Sequence, residues 1–457
     1  MTHNIGMFHY IAGFTDGVSL EMNKWIEVLE DMGHTVHICA GKLGSIAEGT
    51  VIKEMYHHRP DARHLYYNTF QALRDYRDEA TYRAGLFRLS DAIETKILKF
   101  IEDKEIDFFI PQNVWSVAAN PAVAIALTNI MRKHKIPALV HNHDFYFERT
   151  NGFRLTCGTA VELADLYLPP RDPLVKHVVI NSLAQQQLAN RKGIKSALVP
   201  NVFDFEAPPW APDEYNSDFR DRIGLRENDI MVLQATRIVT RKGIELAVDF
   251  VKALDSPANR SKLKAKGLYD GRKFDDDSRI VLVLAGYAMD DATGRYQSLL
   301  SLKAKELGVE AIFIEDIVDS SRYTRKGKKI YSLWDTYVFA DFVTYPSIWE
   351  GWGNQLLEAL RAKLPLVLFE YPVYEVDIKD KNLRVVSLGN QISGRDEHGL
   401  VTVDQKIIDD AANQAVDLLI DKELRQETVD HNFRMAKRFY SMDALHIYLR
   451  QLMNDRG

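Results

Sequence analysis

Cysteine is nearly missing from this chain of 457 residues, which carries only Cys39 and Cys157. Two thiols make neither a disulfide framework nor a cysteine-ligated metal cluster, and their scarcity fits a reducing, cytoplasmic compartment. Long apolar runs are missing too. The longest, residues 114–131, contains Asn120, Pro121 and Asn129 and reads as a buried helix, not a membrane span. The opening MTHNIGMFHYIAGF lacks the basic segment and apolar core of a secretory leader. Positive charge is in deficit. The 58 Lys and Arg against 64 Asp and Glu leave a net charge of −6, which argues against a nucleic-acid partner. Residues 66–103 mix both signs almost evenly, so contact with an anionic membrane surface is left open but without support. No internal repeat and no low-complexity segment is found.

What is present is alternation. The length exceeds one ordinary core, so two domains are expected. Short apolar runs at 4–12, 34–40, Phe108–Pro111, 138–141, 166–168, 177–180 and 197–200 read as strands. A helical pattern at 17–32 stops at Gly33, a usual C-terminal glycine. Buried strands separated by helices imply a parallel sheet covered on both faces. Residues 205–228 break the rhythm with Pro208, Pro209, Pro212 and many charges, and the domain junction is placed there. A second alternating unit has strands at 230–235, 280–286, 311–314, Phe342–Tyr345 and 366–369. Its helices include Ile244–Leu254 and 296–307. The tail, 405–453, is helical. Two doubly wound units predict two Rossmann-like α/β domains.

The most informative stretch is YPSIWEGWGNQLLE, residues 345–358. A buried strand ends, a Pro–Ser turn follows, and Glu350 precedes Gly351–Trp352–Gly353–Asn354 and a helix carrying Glu358. A helix N-terminus there offers N–H groups and positive dipole to a phosphate. Eight residues of helical rise would set the carboxylates roughly 12 Å apart. One would hold a transferred sugar and the other a ribose. The pattern resembles the donor-site signature of the family-four retaining nucleotide-sugar glycosyltransferases (glycosyl transferases group 1), which have the GT-B fold.

Beyond the strand 230–235, QATRIVTRKG sends out Arg237, Arg241 and Lys242 before a helix. Cations at a strand's carboxyl end can neutralise a departing diphosphate. The stretch resembles the family's GR…KG motif, with Thr236 in place of the usual glycine. The resemblance assigns the diphosphate to Arg237 and Lys242, while Arg241 is read as solvated. His141–Asn142–His143–Asp144 ends the strand 138–141. A His–Asp pair there can bind a sugar, and two His with an Asp are also candidate metal ligands. It resembles the family's HD element, which places His143 near the donor sugar, His141 as the fallback, and Asp144 toward the acceptor. Gly13–Phe14–Thr15–Asp16–Gly17 follows the first strand, and its glycines allow close backbone approach. The resemblance sets Gly17 against the donor phosphates and Asp16 against the acceptor. Gly286, with Tyr287, resembles the family's turn beside the nucleotide, and 315–318, ending at Val318, resembles the segment that holds the base. Asp275–Asp276–Asp277 and the basic 322–329 read as solvated loops.

The resemblance therefore implies a GT-B fold with two Rossmann-like domains facing a cleft. The first domain is 1–204 with the crossing-back helix 442–457, and the donor domain is 205–441. It implies retaining transfer of a glucose- or mannose-type hexose from a UDP-, GDP- or ADP-sugar to a hydroxyl-bearing small molecule or glycan. No cofactor and no metal are expected. His143, Glu350, Arg237 and Lys242 would be catalytic. Glu358, Gly286, Gly351, Gly353, Asn354, Gly17 and Val318 would bind the donor, and Asp16 and Asp144 would face the acceptor. A phosphorylase or epimerase on the same fold, and a non-catalytic sugar-binding relative, are the alternatives.

Overall fold

The structure, a computed structural model, describes residues 2–14, 16–44, 47–148, 153–286 and 294–454. It divides into two compact units, Met1–Val202 with Met442–Gly457, and Phe203–Ser441. The sequence reading sets this junction at 204/205.

The first unit is built on seven strands: β1 Asn4–His9, β2 Thr35–Ala40, β3 Thr50–Val51, β4 Phe108–Pro111, β5 Ala138–Asn142, β6 Val175–Val179 and β7 Ser196–Leu198. Their order is β3-β2-β1-β4-β5-β6-β7 and every pairing is parallel. Chain order reverses between β1 and β4. Connections leave these two strands toward opposite faces, which opens a crevice at their carboxyl ends. The helix Gly17–Asp31 starts there, with Asp16 as its N-cap accepting from the Ser19 amide. Its Trp25, Val28 and Leu29 share one core with Leu445 and Leu449 of the helix Met442–Asn454. Full burial of one such side chain stabilises by about 1.5–3 kcal/mol.

The second unit repeats the design. Its strands are β8 Ile230–Gln234, β9 Ile280–Leu284, β10 Glu310–Phe313, β11 Val318–Asp319, β12 Tyr323–Arg325, β13 Lys328–Ser332, β14 Phe342–Tyr345, β15 Leu366–Leu368 and β16 Val386–Ser387, with a two-stranded ribbon of β17 Gly394–Arg395 and β18 Val401–Thr402. Six form a parallel sheet in the order β10-β9-β8-β14-β15-β16. Here the reversal lies between β8 and β14. The strands β11, β13 and β12 make a small separate sheet. The helix Ile244–Leu254 packs nearly all its apolar side chains into the core with Ile230, Val232, Ile280 and Leu282.

Three expectations fail. Residues 166–168 are no strand but the end of the helix Gly158–Tyr167, because three apolar residues fit either period. The apolar run 114–131 is two helices, Val114–Val117 and Pro121–His134, divided where Ala118 turns left-handed and Pro121 starts the second. The basic 322–329 is a hairpin tied by ion pairs. Arg322 bonds Asp213 at 2.6 Å and also pairs with Asp335, and Lys329 bonds Asp218 at 2.8 Å.

Candidate active site

In the second unit the crevice is made of charge. β8 ends at Gln234, whose amide donates to Thr236 Oγ1 at 2.6 Å and whose Oε1 accepts from Thr344 Oγ1 of β14 at 2.6 Å. The threonine that stands for the family's glycine thus helps tie the two diverging strands together. The turn after β8 is laced to the loop after β14. Ile348 N donates to Arg241 O at 3.0 Å, and a Cβ on Gly243 would lie 2.5 Å from Pro346 O, so only glycine lets these backbones meet. That contact sets Lys242 and Arg241 against Glu350. Lys242 Nζ bonds Glu350 Oε1, and Arg241 Nη1 bonds Glu350 Oε2 at 2.7 Å and Trp349 O at 3.2 Å. Arg241 is therefore engaged, not solvated. Its partner stands 109 residues away in sequence, beyond the reach of local pattern.

Lys242 is 3% exposed and Glu350 6%. Burial drives the Glu350 pKa upward, but Lys242 and Arg241 together outweigh it and hold the carboxyl below its usual range. Burial also depresses Lys242, opposed by Glu350 and reinforced by Arg241 and Arg237. Glu350 faces two cations and Lys242 one anion, so the carboxylate is the better held charge. Arg237, half-buried, belongs to the same cluster through its field on Lys242.

Two helices start beside these residues. Ile244–Leu254 and Asn354–Arg361 each have a glycine N-cap, Gly243 and Gly353, and no side-chain cap. Only Asn354–Arg361 is helical, so residues 350–353 add no helical rise and the 12 Å estimate fails. Gly353 has φ +129, and a Cβ on it would meet Tyr371 Oη at 2.4 Å. Tyr371 Oη donates to Trp352 O at 2.7 Å and holds the glycine turn that Gly351 opens. Glu358 is buried, and its Oε2 accepts from Tyr337 Oη at 2.8 Å. A Cβ on Gly286 would lie 1.8 Å from Thr236 O, so that glycine is required by the packing of two strand-end turns. Tyr287 lies outside the described residues. Val318 does not end the strand before it, since β10 stops at Phe313. It belongs to β11, where Tyr331 N donates to Ile317 O at 2.8 Å.

In the first unit the groups past β4 and β5 are mostly neutral, with Asp16 at the start of the helix Gly17–Asp31. Gln112 and Asn113 follow β4. Gln112 Oε1 is shared by His141 Nδ1 at 3.0 Å and His143 Nε2 at 3.3 Å, and Gln112 O accepts from His9 Nδ1 at 2.6 Å. Asn113 Oδ1 accepts from the backbone N–H of His143 at 2.7 Å and of Asp144 at 3.2 Å. With the glutamine oxygen as acceptor, each ring donates through the bonded nitrogen and presents a lone pair on the other. His143 is buried, and desolvation with the fields of His9 and Lys24 lowers its pKa to about 3. His141 is lowered well below its usual value by burial and by His143. It stacks on Trp25 at 4.2 Å, whereas His143 lies one residue past the strand. Near pH 7 both rings are uncharged.

Both carboxylate oxygens of Asp16 accept from Ser19, and Gly17 is the first residue of the helix they cap. The Asp275 carboxylate caps its own turn through Ser278, and Asp276 pairs with Lys264. Among the described residues no group of three or more His, Cys, Asp or Glu is arranged to hold a metal ion. Among them also, no helix is long and apolar enough to cross a membrane.

Sequence reasoning missed His9, Gln112, Asn113 and Tyr337. The first three stand at carboxyl ends of buried strands, so the rule that singled out His143 would have found them.

The model of glycosyl transferases group 1 matches residues 216–435. A mannosylglucosylglycerate synthase of Thermotoga maritima is 37% identical over 447 residues, covering 96% of this chain and 97% of that protein. The protein of that name from Petrotoga mobilis is 37% identical over 417 residues, covering 91% and 93%. The solved sucrose-phosphate synthase of Thermosynechococcus elongatus superposes with a TM-score of 0.60 at 13% identity, covering 98% of each chain. The chain belongs to the glycosyl transferases group 1, and its two parallel α/β sheets are those of a GT-B glycosyltransferase.

Proposed function

We propose that this protein is a cytoplasmic retaining hexosyltransferase that moves a mannosyl unit from a UDP-, GDP- or ADP-sugar to a hydroxyl of glucosylglycerate, without a metal ion. The observation that carries donor use is the Arg241–Lys242–Glu350 cluster beside two helix N-termini, with Lys242 and Glu350 buried. The substrate reading rests on the names of the two relatives that match the chain over nearly its whole length.

In the reaction, the bond from the anomeric carbon to the diphosphate oxygen breaks, and the electron pair leaves with the nucleoside diphosphate. The acceptor oxygen bonds the same face of that carbon, and its proton passes to the departing diphosphate oxygen. Negative charge grows on the diphosphate, so groups aimed at it act mainly in the transition state. Lys242, Arg237 and Arg241, with the starts of the helices Ile244–Leu254 and Asn354–Arg361, supply the charge that a metal supplies elsewhere. Glu350 holds two of these cations in place. The Tyr345 and Ser347 hydroxyls also act on this carboxylate, and a sugar hydroxyl that reaches it competes with them for its about four acceptor sites. Glu358, steadied by Tyr337, takes the ribose. His143 accepts a hydrogen bond from the reacting sugar, and as a neutral ring it does not repel positive charge developing at the anomeric carbon.

The test is incubation of the purified protein with UDP-, GDP- and ADP-mannose and glucosylglycerate, the product being read by NMR. A mannosylglucosylglycerate whose new linkage keeps the donor's anomeric configuration is expected. An inverted linkage overturns the retaining reading. Absence of transfer from all three donors overturns the substrate reading.

A further inference from the structure

The first unit carries a basic hollow that the donor chemistry does not use. It has a volume of about 430 Å³ and lies beyond the carboxyl end of β2, lined by Gly41, Lys42, Lys53, Tyr56 and Arg59 among others. The fold builds it deliberately. A Cβ on Gly41 would come 2.2 Å from Tyr56 N, so this glycine lets the end of β2 press against the turn holding Lys53 and Tyr56. Lys42 Nζ stands 5.7 Å from the centre of the Tyr56 ring and 5.4 Å from that of Phe14. The same segment is stitched to the loop after β1. Gly41 N donates to Tyr10 O at 3.1 Å, Ala12 N to Lys42 O at 3.0 Å, and Gly44 N to Ala12 O at 2.8 Å. The hollow therefore adjoins the β1/β4 crevice. The turn after Tyr56 reaches toward that crevice as well, since the His57 and Tyr10 rings lie 5.4 Å apart.

The charges do not cancel. Arg59 is bound to Asp61 at 2.7 Å, and Glu54 to Lys96 at 2.7 Å. Asp16 has both oxygens on Ser19, and the exposed Glu48 has no ion pair with Lys42 or Lys53 among the described residues. Lys42 and Lys53 are exposed and have no carboxylate partner among the described residues. Two unpaired ammonium groups beside an aromatic ring, next to a crevice of neutral sugar-binding groups, suit a small anion attached to a sugar.

We infer that the hollow of Lys42, Lys53, Tyr56 and Arg59 binds the carboxylate of the acceptor, and so selects a sugar acid over a neutral glycoside. This rests on the reading of the protein as a transferase acting on glucosylglycerate. Lys42 and Lys53 pair with the carboxylate, and the Tyr56 ring packs on the glycerate carbons.

The experiment compares glucosylglycerate with glucosylglycerol, which has the same skeleton without the carboxylate, in the wild type and in the K42Q/K53Q variant. The wild type should show a markedly lower KM for the acid. The variant should raise KM for glucosylglycerate at least about tenfold with kcat within about twofold, and leave glucosylglycerol unchanged. Both lysines are exposed, and unchanged binding of the nucleoside diphosphate will report an intact fold. Salt should raise KM for the acid alone. If the wild type uses the acid but the variant keeps its KM, or loses equally with both acceptors, the subsite is overturned and the transferase reading stands. If the wild type transfers to neither compound, the glucosylglycerate reading fails and takes the subsite with it.

Discussion

The two strand-end crevices share a geometry and differ in electrostatics. Where β1 and β4 part, the lining is His9, Gln112, Asn113 and His143, all neutral and fixed by hydrogen bonds. Where β8 and β14 part, it is Arg237, Arg241, Lys242 and Glu350. A doubly wound sheet provides the crevice in both cases. What each crevice can hold is decided by a few residues past the strand ends. Amides and neutral imidazoles match hydroxyl groups, which need donors and acceptors in register. Clustered cations match a diphosphate, whose charge rises as it departs. One fold, used twice, divides recognition from charge stabilisation.

The largest effect should come from attacking the charged crevice. Lys242→Ala should lower turnover by a hundredfold or more, on the order of 3 kcal/mol of transition-state stabilisation. It also removes one of the two cations that hold the buried Glu350 carboxylate, leaving Arg241 alone, and should cost up to about 3 kcal/mol of folding stability. The double variant Lys242→Met, Glu350→Gln should recover stability in a denaturant titration and not turnover. Recovery of both would show that the pair is only structural. The two glutamates sharpen the division next. Glu350→Gln should depress kcat by about a hundredfold. Glu358→Gln should act mainly on donor KM, about tenfold, because the ribose does not change during reaction. Free nucleoside diphosphate affinity is the control. Loss of that affinity in the Glu350 variant alone would reverse the two assignments.

Acid should separate the units by pH. His143 binds a proton at about pH 3 when folded and near 6.5 when unfolded. Between those values the unfolded state holds the extra proton, so stability falls as pH drops through 6.5. The loss is about 1.4 kcal/mol per pH unit for that one ring, or roughly 2 kcal/mol by pH 5. His57 and His177, each lowered by burial to about 4, add to it. Glu350 acts in the same direction but in a lower pH window. Its lowered pKa gives stability that is present above the ordinary carboxyl value of 4.5 and is lost only below it. Amide exchange at pH 7, 5.5 and 4 should show the first unit loosening before the second. His143→Gln should flatten the first unit's slope. Simultaneous loosening would break the contrast. The smallest effect is expected from EDTA, which should leave transfer unchanged. Loss restored by magnesium or manganese would overturn the metal-free reading and make Asp275–Asp277 candidates to hold the ion.

Much of the fold was legible because long buried strands and amphipathic helices announce their own period. Phe108–Pro111, Phe342–Tyr345 and Ile244–Leu254 have the bounds that their apolar patterns predict. Short pieces such as β11, β12 and β16 were not legible, since two or three residues carry no period. For the site, strand ends and glycine turns pointed to Arg237, Lys242, Glu350 and His143. The pairing of Arg241 with Glu350 and the bridging by Gln112 were hidden, because each joins segments that only the folded sheet brings together. Gly286 carries a second physical reason. A glycine expected beside a ligand is already required by the backbone at Thr236.

The helix Met442–Asn454 completes the core of the unit to which Met1–Val202 belongs, while Phe203–Ser441 is one unbroken stretch. The order of synthesis and the order of completion therefore differ. The second unit has all of its chain once Ser441 leaves the ribosome. The first, made earlier, waits with the apolar face around Trp25 and Leu29 uncovered until Leu445 and Leu449 arrive. Nascent chains stalled between 203 and 441 carry that uncovered face, and it is where chaperones should bind during translation.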